Sequence, residues 1–112
     1  MFNDPNAGRF VRYHFQGSME VTEQDGRRQI AGRVNHLSLF GCGIDEAGDF
    51  HAGASVQVTI VSDEGSRLEA MGRVVYAEGG RGLGVAFTSL KSADERVLGN
   101  WIAELANSQA LT

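Results

Sequence analysis

The stretch that decides the fold is residues 34–44, which read VNHLSLFGCGI. Just before and into it, Ile30, Gly32 and Val34 alternate with polar or small neighbours, a pattern that predicts a half-buried β-strand. After His36 the apolar residues move to the other parity, and two glycines then bracket Cys42. We therefore expect a strand that ends or bulges at His36, a tight turn, and a second strand that leaves the turn.

This turn carries a small polar group of residues. His36, Ser38 and the bare backbone at Gly41 would face whatever lies outside the sheet. Short polar side chains and glycine at a strand end can form hydrogen bonds to the edge of a ligand without crowding it. The alternative is that these are ordinary turn residues, and the pattern by itself favours that interpretation.

Composition restricts the class of protein. The chain has 112 residues, 42% of them hydrophobic and 21% charged, which predicts one globular domain. The single cysteine, Cys42, excludes an internal disulfide and a cysteine-rich zinc site. The three histidines have no metal-ligand spacing, and no cofactor is expected. With no signal-like leader and no apolar run of about 20 residues, we expect a cytoplasmic protein with no membrane insertion.

The rest of the chain predicts a small antiparallel barrel. Residues 1–8 have no periodicity and are expected to be a flexible leader, followed by a single domain over residues 9–112. Short alternating segments with hairpin turns, such as the one at Asp25 and Gly26, predict six strands between about residues 16 and 88. In the fifth segment the alternation assigns one face to Leu68, Ala70, Gly72, Val74 and Tyr76.

A terminal helix follows the barrel segments. Ser92 and Glu95 form a capping-box pattern, and an apolar stripe at helical spacing then predicts a helix over about residues 92–107. Trp101 lies in that stripe and is expected to belong to the core or to cover it. The fold class is therefore all-β, a six-stranded antiparallel barrel with one C-terminal α-helix.

Three features of this pattern resemble the PilZ domain, a bacterial receptor module for cyclic di-GMP. The arm with Arg9 and Arg12 is similar to the family's Arg-x-x-x-Arg, and the turn of His36, Ser38 and Gly41 is similar to its Asp/Asn-x-Ser-x-x-Gly. The strand over residues 82–87, GLGVAF, is similar to the family's closing Gly-hydrophobic-Gly-Val-x-Phe. Together the three features span nearly the whole chain.

The resemblance implies a function and a set of site residues. A loose arm would fold over cyclic di-GMP and direct its arginines at phosphate and guanine, and the turn would hold the other guanine. The implied ligand-binding residues are Arg9, Arg12, His36, Ser38 and Gly41. The implied protein is a non-enzymatic receptor or adaptor of second messenger signalling, which acts through a downstream partner protein of unknown identity.

Two positions depart from the family pattern. Gly8 stands where the first arginine is expected, so that Arg9 comes one residue late. His36 stands at the Asp/Asn position, where a neutral imidazole offers one acceptor nitrogen and a protonated one offers none. Asn35 is adjacent, but in a regular strand it would point to the opposite face.

Two further functions remain open from the sequence. The first is a PilZ-like adaptor that does not bind cyclic di-GMP and acts through protein–protein contacts. The second is a barrel that binds single-stranded nucleic acid through Phe10, Tyr13 and Phe15. The net charge of −4 argues against a polymeric nucleic acid partner, because such binding depends on many basic contacts. No pairing of a general acid with a base, and no oxyanion pattern, predicts an enzyme.

Overall fold

The computed structural model describes residues 11–109 and contains, within them, six β-strands that close into one antiparallel barrel. The order around the barrel is β1-β2-β3-β6-β5-β4, so that β1 closes the sheet against β4. A helix, α1, follows the last strand. The elements are β1 Gly17–Glu23, β2 Gln29–Leu37, β3 Gly41–Ile44, β4 Ser55–Ser62, β5 Arg67–Glu78, β6 Gly82–Ser89 and α1 Ser92–Gln109.

The interior of the barrel is filled by the alternating apolar side chains of the strands. In β4 and β1, for example, Val56, Val58, Ile60 and Val21 are fully buried, while their sequence neighbours face outward or are half-buried. Such alternation is expected for a sheet with one face packed in the core and the other exposed to solvent. The Asp25–Gly26 hairpin also forms as predicted: Gly26 has a φ of 79°, which favours glycine, and joins β1 to β2.

The helix closes one side of the barrel through its apolar stripe. Trp101 is buried and its ring centroid lies 4.7 Å from that of Phe15, as expected for a core residue. The start of the helix differs from the predicted capping box. The Glu95 N–H bonds the Lys91 carbonyl at 2.9 Å, which places Ser92 inside the first turn. Asp94 accepts a hydrogen bond from the backbone N–H of Glu69 at 3.0 Å and so ties the helix to β5.

Three one-residue register shifts interrupt the strand pairing. One leaves Thr88 of β6 without a partner in the register, and the other two, in β2 and β5, change which side chains face outward near the β2–β3 turn. In the β2–β3 pair, Val34 is opposite Ile44 and His36 is opposite Gly43, so Asn35 is the extra residue. The predicted bulge near His36 is therefore present one residue earlier, and the strand continues to Leu37. A bulge sets two residues against one on the partner strand, so the expectation that Asn35 points to the opposite face was wrong.

The second bulge lies in β5, at Val75. Val74 is opposite Val85 and Tyr76 is opposite Gly84, which leaves Val75 without a partner in the register. Val74 is buried in the core and Val75 is exposed. Beyond the bulge, Tyr76 shares the outer face with Gly84. The expectation that it lines the inner face with Val74 was wrong because the extra residue shifts the parity.

The segment before β1 is held against the barrel at several points. Tyr13 pairs with Leu37 through two backbone hydrogen bonds of 2.9 Å, and the ring of Phe15 packs on Trp101. At the end of α1, the side-chain amide of Gln109 donates to the His14 carbonyl at 2.9 Å. The loose arm implied by the sequence therefore does not include the residues around Tyr13.

Candidate functional site

A cleft of about 190 Å³ lies on the outer surface where the β2–β3 turn approaches β5 and β6. The turn forms one wall, the bulged part of β5 forms the other, and the segment before β1 adds a guanidinium. The residues that line the cleft are Arg12, His36, Ser38, Phe40, Gly41, Cys42, Val75, Tyr76, Gly84, Val85 and Ala86.

A row of four residues crosses the outer face of the sheet at this cleft. His36 is opposite Gly43, Gly43 is opposite Gly84, and Gly84 is opposite Tyr76. The imidazole lies over Gly43 and the phenol ring lies over Gly84, each in the space that a β-carbon would need. Two adjacent glycines thus let the two aromatic rings lie directly against the sheet, and both rings reach this face because of the bulges.

Tyr76 is fixed at its end of the row. The guanidinium carbon of Arg81 lies 3.7 Å from the centroid of the Tyr76 ring, a cation–π contact that stabilises its position. The same ring lies against the backbone of Gly84, in the space that a β-carbon would need, so it packs closely on the sheet. It therefore forms a firm wall of the cleft.

The turn between β2 and β3 is held by its own hydrogen bonds. The Ser38 N–H donates to the Gly41 carbonyl at 2.9 Å, and the Ser38 hydroxyl oxygen accepts from the Phe40 N–H at 3.1 Å. Ser38 is only 6% exposed. A β-carbon at Gly41 would collide with the Val85 carbonyl oxygen, so glycine is required for β3 to approach β6. The serine therefore shapes the turn, while its hydroxyl donates a long hydrogen bond to the Gly41 carbonyl, with 3.5 Å between the two oxygens.

Arg12 places a positive charge at the cleft. Its neighbour Tyr13 is anchored to Leu37, so the Arg12 backbone is fixed beside the end of β2. The side chain is exposed and lines the cleft together with His36 and Ser38. Its five N–H donors suit phosphate oxygens and the acceptor edge of guanine.

His36 is half-buried, and its environment favours the neutral imidazole. Burial, and to a lesser extent the nearby charge of Arg12, lower the pKa of His36 below its ordinary value. Near neutral pH the ring therefore offers one acceptor nitrogen and one donor N–H. The histidine is consequently a poor source of additional positive charge for an anionic ligand.

Cys42 contributes backbone but no reactive thiol to the cleft. Its side chain is fully buried in the core, and burial raises the pKa of the thiol to about 12. A thiol in that environment is inert toward nucleophilic chemistry. Within residues 11–109, no group of three His, Cys, Asp or Glu side chains is placed to hold a metal ion.

Four of the five predicted site residues lie along this single cleft: Arg12, His36, Ser38 and Gly41. Arg9, the fifth, lies outside the described residues. Sequence reasoning did not find the opposite wall, formed by Tyr76 and its neighbours, because the bulge at Val75 changes the face on which Tyr76 lies. Phe40, which the sequence pattern placed in the turn without a role in the site, also lines the cleft.

Two of the three aromatic residues proposed for single-stranded nucleic acid lie within residues 11–109, and these two do not form an exposed stacking surface. Phe15 is buried against Trp101, and Tyr13 is half-buried beside Leu37. Phe10 lies outside the described residues. Base stacking needs exposed ring faces, and Phe15 does not present one.

Comparison with known families assigns the chain. The model of the PilZ domain matches residues 7–104, which is most of the sequence. This chain belongs to the PilZ domain family. PilZ domains are a family of cyclic di-GMP receptors, and the matched segment contains the cleft and all five predicted site residues.

Two solved PilZ domains have the same fold. The PilZ domain of CeSA from a cellulose-synthesizing bacterium matches with a TM-score of 0.67 and 23% identity, over 85% of this chain and 97% of that one. The PilZ domain of YcgR from Escherichia coli, solved with c-di-GMP, matches with a TM-score of 0.62 and 17% identity, over 89% of this chain and 92% of that one. Both confirm the predicted barrel with a terminal helix. A comparison with curated protein sequences found no significant match.

Within residues 11–109 the one helix is α1, and it is not long and apolar enough to cross a bilayer.

Proposed function

We propose that this PilZ domain binds cyclic di-GMP at the cleft and acts as a non-enzymatic receptor that signals through a partner protein. The observation that carries the proposal is that Arg12, far from the β2–β3 turn in the chain, lines the same cleft as Ser38 and Gly41. A cation beside a turn rich in bare backbone is suited to a phosphate joined to a base.

The dimensions of the cleft suggest how the ligand lies. Its volume of about 190 Å³ is below the roughly 300–1,000 Å³ of most small-molecule pockets. We therefore place one guanine base in the cleft, between the turn and the wall formed by Tyr76, and the phosphates outside it within reach of Arg12. Arg9, close to Arg12 in the chain, would supply a second guanidinium. The hydroxyl of Ser38 would turn its hydrogen from the Gly41 carbonyl toward the ligand.

Charge favours this cleft over a larger groove. A groove of about 370 Å³ lies between the helix and the start of β1, over Phe15 and Trp101. Its rim carries Glu64 and Glu104, which would repel a ligand with two phosphates, and Asp63, whose carboxylate is paired with Arg33. The cleft at the turn is smaller but has Arg12 in place of these acids.

Titration calorimetry with cyclic di-GMP tests the proposal. We expect the wild-type protein to release heat with micromolar affinity and Arg12→Ala to weaken binding about tenfold to a hundredfold, since a hydrogen bond to a charged group contributes about 1.5–3 kcal/mol. Arg96→Ala is the matched control, because Arg96 is exposed on α1 and does not line the cleft. No heat with the wild-type protein, or equal affinity in both variants, would refute the proposal.

A second candidate is an adaptor that works by protein contacts without the nucleotide. It is favoured by apolar side chains around the cleft, with Leu39 51%, Phe40 52% and Val75 55% exposed. The same calorimetric titration separates the two functions, because the adaptor gives no heat with cyclic di-GMP. For either function we expect no binding to a polymeric nucleic acid, which a gel shift with a random oligonucleotide would test.

A further inference from the structure

One buried polar atom next to the cleft has no hydrogen-bond partner among residues 11–109, the side-chain oxygen of Asn35. The orientation of this amide is fixed by its other end. The Asn35 Nδ2 donates to Asp45 Oδ1 at 2.7 Å, and a carboxylate only accepts hydrogen bonds. The oxygen therefore points away from Asp45, and a buried unpaired acceptor in a folded protein calls for an explanation.

The bulge brings this oxygen close to Gly43. Because Asn35 is the extra residue of β2, both Asn35 and His36 stand against Gly43. The position that a β-carbon of Gly43 would take lies 3.0 Å from Asn35 Oδ1 and 3.0 Å from His36 Nδ1. The amide oxygen and the imidazole thus meet above one glycine, at the end of the row where the base is placed.

The unpaired oxygen is suited to a ligand that donates N–H groups. Guanine presents two adjacent donors on one edge, N1–H and its 2-amino group, whereas adenine presents only its 6-amino group there, beside an acceptor at N1. His36 is poorly suited to accept from these two donors, because a neutral imidazole has only one acceptor nitrogen. Rotation of the imidazole away from Gly43 would open the Asn35 oxygen to the edge of a base.

We propose that Asn35 is the residue that selects guanine in this cleft, accepting a hydrogen bond from its N–H edge after His36 rotates, with Asp45 as the positioning residue. This inference depends on the proposed function, because it specifies how the same cleft recognises the base. It assigns the acceptor role to Asn35, which reaches the site because of the bulge in β2; regular alternation of the strand would turn it away.

The test compares Asn35→Ala in two backgrounds by calorimetry with cyclic di-GMP and cyclic di-AMP. In the wild-type background we expect Asn35→Ala to weaken cyclic di-GMP binding about tenfold. The ratio of the affinity for cyclic di-GMP to that for cyclic di-AMP should fall as well. In the His36→Asp background a carboxylate supplies an acceptor, so the loss caused by Asn35→Ala should be clearly smaller. A role for Asn35 in folding alone would give the same loss in both backgrounds.

Asp45→Ala provides a second variant that keeps Asn35 in place. Asp45 is exposed, so its removal is tolerated by the fold, and we expect a smaller loss of guanine preference than in Asn35→Ala. Thermal melting of each variant confirms that the protein titrated is folded. The role of Asn35 is overturned, and the proposed function is not, if Asn35→Ala leaves the preference for cyclic di-GMP unchanged. The same holds if Asn35→Ala weakens cyclic di-GMP binding equally in both backgrounds. Absence of binding by the wild-type protein overturns the proposed function, and this inference with it.

Discussion

Removal of the Phe15 ring should both destabilise the barrel and weaken the ligand site. Phe15 is 9% exposed and its ring packs on Trp101 at a centroid distance of 4.7 Å. Replacement of a buried phenylalanine by alanine costs about 3–5 kcal/mol, and we expect the lower end because the residue lies at the barrel edge. For 112 residues, an unfolding entropy of about 2.1 cal/mol/K per residue converts 3 kcal/mol into a fall in Tm of roughly 13 °C.

The same change should release the segment that carries Arg12. Phe15→Ala removes one of the contacts that hold this segment, so we expect weaker binding of cyclic di-GMP even where the variant is fully folded. Phe50→Ala is the matched control. Phe50 is 5% exposed, packs near Gly48 and Ile30, and does not line the cleft. Calorimetry at a temperature where both variants are folded compares them. Equal affinities in the two variants, or a loss of stability below 1 kcal/mol in Phe15→Ala, would refute the reasoning.

Two further predictions follow from shifted pKa values. Because the folded protein lowers the pKa of His36, the unfolded state binds the proton more readily, and stability should fall as the pH drops through the pKa of the folded state. Urea unfolding at pH 7.5 and pH 5 should show that the free energy of unfolding falls less in His36→Gln than in the wild-type protein. An equal fall in both proteins would contradict the assignment of this pH dependence to His36. Burial raises the pKa of the Cys42 thiol to about 12, so a thiol reagent at pH 8 should react only as urea unfolds the protein. Rapid labelling of the folded protein would show that the thiol is accessible.

Much of the barrel can be predicted from the sequence because local signals specify it. Alternating segments identify the strands, and Asp25 with Gly26 identifies a hairpin. Such signals act over a few residues and agree with the final fold. The helix was predicted by the same means, although Ser92 proved to lie in its first turn and not to cap it.

The candidate site was harder to predict because bulges decide its walls. A bulge adds one residue and reverses the parity of everything that follows, yet neither Asn35 nor Val75 is a residue type that marks one. Strand alternation therefore assigned Asn35 and Tyr76 to the wrong faces. The position of Arg12 also depends on the pairing of Tyr13 with Leu37, a long-range contact that no local pattern contains.

The most direct test of the central claim is an NMR titration of the labelled protein with cyclic di-GMP. Gly41 and Gly84 line the cleft and Gly43 pairs with Gly84, so the amide signals of these three glycines report ligand there. We predict that these signals, with that of Arg12, shift most, while the amide of Gly99 on α1 stays unchanged. Shifts that cluster along the helix groove, or no shifts at millimolar ligand, would contradict the assignment of this cleft as the binding site.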